Sequence, residues 1–225
     1  MAFDPIAPPC ASQRVARVVE NVLIARRTYR VRLETSEIAG VILPGQFVMV
    51  RASVTSHDPL LGRPFALYDV VRDPSGAAIA IDLVYLVLGR GTAALAEKRP
   101  GDRVVVWGPL GNGFGPAPNG PVVFVAGGIG QTPFVALGRW WLGDEGYGVV
   151  GRLPGPHATS ATLLYGVRSA DLAAGVDDFA RAKVAVELAT DDGSAGHHGF
   201  VTDLLRQRLE RGERPAKVVG CGPPA

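Results

Sequence analysis

Cysteine is nearly absent from this chain: its 225 residues include only Cys10 and Cys221. That scarcity excludes a disulfide framework and a Cys-based metal centre assembled from these residues alone. A charge excess is missing as well. Lys and Arg number 23 against 21 Asp and Glu, so the composition offers no argument for a nucleic acid or a membrane surface as partner. No apolar run reaches the length of a transmembrane helix. The opening "MAFDPIAPPC" has an acid and three prolines where a secretion signal has basic residues and an apolar stretch. The expected setting is therefore the cytoplasm.

What the chain does have is apolar residues, at 47%, with 29 Gly and 18 Pro, which describes a globular protein with many turns and close backbone approaches. Its two halves differ in rhythm. Residues 14–107 read as six strands: "RVARVVENVLIA", "TYRVRLET", "GQFVMVRA", "PFALYDVVR", "AIAIDLVYLVL" and "DRVVVWG". One helical stretch, "TAALAEK" at 92–98, interrupts them. Six strands at this spacing predict a small antiparallel barrel or sandwich over residues 1–115, with 1–12 a flexible lead. From Pro121 strand and helix alternate, which predicts a Rossmann-like parallel α/β domain over 120–225. The Gly- and Pro-dense "GPLGNGFGPAPNG" at 108–120 is the junction, and "GYGVVGRLPGPHATS" at 146–160 reads as a surface insertion.

Three segments bear on chemistry. In "VVFVAGGIGQTPFVALGRW" a buried strand runs into Gly127, Gly128 and Gly130, and Thr132-Pro133 opens a helix as N-cap and first residue. Such a turn lets backbone N–H groups approach a diphosphate, with the helix N-terminus adding positive potential. It is equally a tight strand-to-helix turn, since the G-x-G-x-x-G fingerprint is not met. "VYLVLGRGTAALAE" repeats the design with Gly89, Gly91 and Thr92. Arg63-Pro64 stands immediately before a strand, where Arg can grip a phosphate bidentately and Pro fixes the backbone beside a flat ring. A solvated Arg at a strand start is the plainer account of that pair.

In order, Arg63-Pro64, "GRGT", "GPLGNGF", "AGGIGQTP", "LLYGVRS", "ATDDGS" with "GFVTDLL", and "CGPP" resemble the electron-transfer subunit of the NAD-linked, two-subunit dihydroorotate dehydrogenase, within the ferredoxin reductase superfamily. The resemblance runs from about residue 13 to the last residue. It implies an FAD-binding barrel followed by an NAD-binding α/β domain. Arg63, Pro64, Phe65 and Ala66 would lie along FAD. Val84, Tyr85 and Leu86 would line its flavin or ribityl portion, and Gly91 with Thr92 would hold its diphosphate. Gly127, Gly128 and Gly130 would face the pyrophosphate of NAD, and Cys221 with Gly222 would sit beside the nicotinamide where it meets the flavin. Ala66 stands where the family has Ser or Thr, a hydroxyl near flavin N5, so weaker tuning of the flavin is expected. Arg168, after "LLYGV", could meet a 2′-phosphate, but a single Arg is a weak signal and the resemblance points to NAD rather than NADP.

The implied chemistry belongs to the cofactors, and no side chain is assigned as a general base. The implied partner is a catalytic, FMN-containing dihydroorotate dehydrogenase subunit, in a heterotetramer that serves pyrimidine biosynthesis. Family members also carry a [2Fe-2S] cluster on a C-terminal C-x₄-C-x₂-C…C segment. Its ligands are not among these residues, so the chain reads as a fragment whose last strand lacks a covering helix. Two rival readings remain: a reductase subunit serving another partner (a ferredoxin–NADP or sulfide-linked oxidoreductase, or an oxygenase), and a non-catalytic flavin-binding module. Other residues take plain readings. Trp140 and Trp141 pack or meet a subunit, and His197-His198 form a solvated loop pair without a third metal ligand. Asp191 and Asp192 sit in a polar turn that can also meet the dinucleotide.

Overall fold

The computed structural model describes residues 11–55, 61–149 and 157–223. Expectations placed on 1–10, on the middle of the 146–160 stretch and on the last two residues lie outside these. The described residues divide into two units, 11–22, 29–55, 61–115 and 147–149 in the first, and 23–28, 116–146 and 157–223 in the second.

The strands of the first unit, with the tip of the β1–β2 hairpin at 23–28 counted to the second, are β1 (Ser12–Ala25), β2 (Thr28–Glu34), β3 (Phe47–Arg51), β4 (Arg63–Ala66), β5 (Asp69–Arg72), β6 (Ala78–Leu86) and β7 (Arg103–Leu110). Two short helices, α1 (Ser36–Ala39) and α2 (Arg90–Ala96), interrupt them. Among the described residues they form one antiparallel seven-stranded sheet in the order β4-β3-β7-β1-β2-β6-β5. The sheet has seven strands rather than six because "PFALYDVVR" is two. The Leu67 N–H reaches back to the Gln46 carbonyl while the next N–H, of Tyr68, donates to Asp82 on β6. One peptide therefore carries the chain from the β3 side to the β6 side. The Phe65 ring meets Tyr85 edge-on at 5.6 Å, which brings β4 beside β6 and curls the sheet. Its interior is apolar, with Val18, Val31, Leu33, Val48, Ile81, Leu83, Val104 and Val106 buried.

The second unit holds β8 (Pro121–Gly127), α3 (Phe134–Trp141), β9 (Ser160–Val167), α4 (Val176–Arg181), β10 (Val184–Thr190), β11 (His197–His198), α5 (Val201–Glu210) and β12 (Lys217–Cys221). The sheet is parallel, in the order β11-β10-β9-β8-β12. Alternate residues of β8 face opposite sides of it. Val123 joins Leu164, Ala189 and Leu204 in a core that Val201 and Leu205 of α5 complete. Phe124 stacks on Phe134 at 4.8 Å and lies 6.0 Å from Trp141, both on α3. Helix α3 is apolar on nearly every face and accordingly buried, Trp140 and Trp141 included, so these two serve packing.

Local details differ from expectation. His197-His198 pair with Ala189 and Thr190 as a strand, because the turn before them folds back onto Thr190. "DLAAGVDDFARA" is a 3-10 turn at Ala170–Leu172 and then α4, separated by Gly175 at φ 72°. Within the supposed surface insertion, Tyr147 is buried in the first unit, its hydroxyl donating to Asp69 at 2.6 Å. Ser12, expected in the flexible lead, begins β1.

Candidate functional site

In the second unit β9 lies on one side of β8 and β12 on the other, so the sheet changes direction at β8. Crevices outside the carboxyl ends of strands at such a reversal are where open α/β sheets take their ligands. The register brings three strand ends level there. Cys221 pairs with Ala126, and Gly127 pairs with Gly166.

The turn beyond β8 is tighter than expected. Gly128–Gln131 form a 3-10 turn, Thr132 closes it, and Pro133 is the residue before α3. Thr132 therefore makes no side-chain cap and is 7% exposed. The glycines have separate tasks. Gly128 sits at φ 53°, with open space where a side chain would project, so its backbone can be approached closely. Gly130 instead faces its own chain: a methyl there would run into the Cys221 carbonyl and come within 2.9 Å of the Gly222 Cα. A methyl on Gly222 would in turn come within 3.1 Å of the Gly127 nitrogen. The Cys221-Gly222 corner is thus seated on the Gly127–Gly130 turn. Partial burial pushes the Cys221 thiol up, away from the reactive thiolate form.

One residue of this turn was not singled out in the sequence. Gln131 is 0% exposed, and neither its Oε1 nor its Nε2 has a hydrogen-bond partner. The polar letter inside "GGIGQTPF" was the available signal. Further along, Asp192 accepts from the Ser194 hydroxyl at 2.6 Å and its N–H at 2.9 Å, which holds its carboxyl below the usual carboxylate range. Arg168 and Asp191 are exposed at the same end of the sheet, beyond β9 and β10.

In the first unit Arg63 and Pro64 are exposed on β4, with Arg63 donating to the carbonyls of Leu61 and Gly62. Phe65 points into the sheet's interior, and Ala66 is half-buried. Of the β6 residues, Val84 and Tyr85 are 2% and 1% exposed, and only Leu86 offers surface. Tyr85 stacks on Tyr29 at 5.8 Å and donates its hydroxyl to Asn21 at 3.0 Å. Burial pushes the Tyr85 hydroxyl pKa well up. The Asn21 amide donates in turn to the carbonyls of Leu95 and Lys98 at 2.9 and 3.1 Å, fixing the end of α2. At the other end, Thr92 is the third residue of α2 rather than its cap. Its hydroxyl accepts from the Leu88 and Gly89 N–H groups at 3.0 and 3.1 Å, so it shapes the turn itself. Gly89, just before α2, has nothing within 4 Å of where a side chain would lie. Gly91 is half-buried in the first turn of α2.

No family model matches the chain. It is 35% identical over 209 residues to the dihydroorotate dehydrogenase B (NAD(+)) electron transfer subunit of Desulforamulus reducens, covering 92% of this chain and 72% of that protein. The protein of the same name from Bacillus caldolyticus is 39% identical over 209 residues, with 92% and 73% covered. The chain belongs to this family of electron transfer subunits. Solved structures agree in fold. The NADH-dependent reduced ferredoxin-NADP oxidoreductase superposes with a TM-score of 0.73 at 25% identity, over 93% of this chain and 68% of that one. The ferredoxin reductase in carbazole 1,9a-dioxygenase gives 0.74 at 23% identity, over 96% and 63%. The curled antiparallel sheet and parallel α/β sheet are those of ferredoxin reductase-like proteins.

Proposed function

We propose that the chain is the electron-transfer part of an NAD-linked dihydroorotate dehydrogenase, with FAD held by the first unit and NAD by the second. The observation that carries this reading is the likeness to named electron transfer subunits, 35–39% identical over 92% of the chain. When bound, these cofactors supply the chemistry: hydride exchange between nicotinamide and flavin, and release of electrons one at a time.

The residues present fit both groups. For FAD, Arg63 and Pro64 are exposed on β4, Ala66 offers surface at the end of the same strand and Leu86 at the end of β6, and Gly89 leaves an open approach ahead of Gly91 and Thr92. Phe65, Val84 and Tyr85 support this wall from behind. For NAD, Gly128 presents open backbone at the sheet reversal, while Gly127, Gly130, Cys221 and Gly222 hold the turn in place. Thr132 is buried beneath it. A [2Fe-2S] cluster needs four ligands, and the two cysteines of this chain do not provide them. No electron step through a cluster is assigned to these residues.

On this reading the partner is a catalytic dihydroorotate dehydrogenase subunit, in a heterotetramer of the cytoplasm that serves pyrimidine biosynthesis. No helix among the described residues is long and apolar enough to cross a membrane. Co-expression with that catalytic subunit tests the assignment. The expected result is a complex that reduces NAD⁺ with dihydroorotate. A chain that binds FAD but neither associates nor couples with it would favour the second reading, a reductase subunit for another partner. The likeness to the ferredoxin-NADP oxidoreductase supports that alternative.

A further inference from the structure

Gln131 poses an energetic problem that the proposed function does not use. Its carboxamide carries two N–H donors and a carbonyl acceptor, is fully buried, and bonds to nothing in the protein. Phe134 and Val135, three and four residues further along the chain, are buried as well. A buried donor or acceptor left unmatched costs about 1–3 kcal/mol, whereas an apolar side chain of the same shape would cost nothing. The amide is therefore an expensive choice for packing alone. No hydrogen bond holds it in its buried position, so it can turn without breaking one.

Its place in the chain says what it can meet. It directly follows Gly130, on which the Cys221-Gly222 corner is seated, at the carboxyl end of β8 where the sheet reverses. A phosphate oxygen would satisfy the donors and leave the Gln131 carbonyl unmatched. A second primary carboxamide satisfies both at once, by donating to Oε1 and accepting from Nε2. The nicotinamide ring of the coenzyme carries that group.

We infer that Gln131 is a specificity residue that reads the carboxamide of the nicotinamide ring. This rests on the assignment of NAD to the second unit. The test is the affinity of the purified chain for NADH, for ADP-ribose and for the reduced 3-acetylpyridine analogue, whose methyl ketone lacks the amide donors. Wild type and Gln131→Met are compared by calorimetric titration, with thermal melting of each. Gln131→Met is expected to lose roughly tenfold in NADH affinity, to keep its ADP-ribose affinity, and to melt no lower than wild type. The wild-type chain is expected to bind the acetylpyridine analogue roughly tenfold more weakly than NADH, a comparison that needs no variant. Unchanged NADH affinity in the variant, equal loss for NADH and ADP-ribose, or equal wild-type affinity for NADH and the analogue would each overturn the inference. A wild-type chain that binds neither NADH nor ADP-ribose would overturn the NAD assignment itself, and this inference with it.

Discussion

Gly128 and Gly130 sit two residues apart in one turn, yet a methyl group has different consequences at each. At Gly130 it meets the Cys221 carbonyl and the Gly222 Cα, both backbone atoms that cannot swing aside. Gly130→Ala is expected to destabilise by about 1–3 kcal/mol, as overpacking does. At Gly128 nothing stands in the way, and the cost of a left-handed φ, about 1–2 kcal/mol, acts alone. Urea unfolding checks stability, and NADH titration checks the turn. Gly130→Ala should displace the Cys221-Gly222 corner and weaken both, whereas Gly128→Ala should act chiefly by crowding the coenzyme. Equal effects on stability and binding in the two variants would contradict this division. The glycines themselves were legible in the sequence, and their separate tasks were not. Which glycine faces open space and which faces the chain depends on Cys221, some ninety residues away, crossing at that point. Gln131 was passed over for the same reason, since burial without a partner is a property of the folded surroundings.

At the scale of elements, α2 is held at both ends by single side chains. Thr92 ties its start to the Leu88 and Gly89 N–H groups, and Asn21 ties its end through the Leu95 and Lys98 carbonyls while accepting the Tyr85 hydroxyl. Asn21→Ala leaves a buried tyrosine hydroxyl without its acceptor and takes the amide from the carbonyls, of which Leu95 still accepts the Lys98 N–H. It should cost about 1–3 kcal/mol in denaturant unfolding. Asn21→Asp should be no milder, because it places a carboxylate against carbonyl oxygens. A midpoint unchanged in either variant would show that α2 is held by other means. Strand and helix types were readable from period alone, because β8 is apolar throughout and α5 repeats its apolar residues at three- and four-residue spacing. The β4–β5 break was not readable. Leu67 and Tyr68 are as apolar as their neighbours, and only the change of hydrogen-bond partner divides the run.

For the whole molecule, the first unit encloses one costly charge. Asp82, with a side chain 7% exposed, takes both Nε and Nη2 of Arg32 at 2.8 and 2.9 Å. Burial pushes its carboxyl up even against the pull of Arg32. Arg32→Met removes that pull and should destabilise the protein by about 3–5 kcal/mol at neutral pH. Without Arg32 the folded pKa of Asp82 rises further above its unfolded value of about 3.9. Its stabilising contribution is then complete below that value and is lost as pH rises through the folded pKa. The deficit against wild type should therefore shrink as pH falls from 7 towards 4 in paired melting curves. A deficit that does not change with pH would mean that the pair is not the source.

The change of period near Pro121 marked two halves in the sequence, and the family was legible in an ordered set of Gly, Pro and Arg motifs. Hydride exchange between a flavin in the first unit and a nicotinamide in the second remains the central claim, and an anaerobic titration of the purified chain with NADH tests it most directly. The expected result is a yellow protein, with FAD as the released flavin, whose visible absorbance bleaches at one NADH per flavin. A colourless protein that takes up no added FAD, or a yellow one that NADH leaves unbleached, would contradict it.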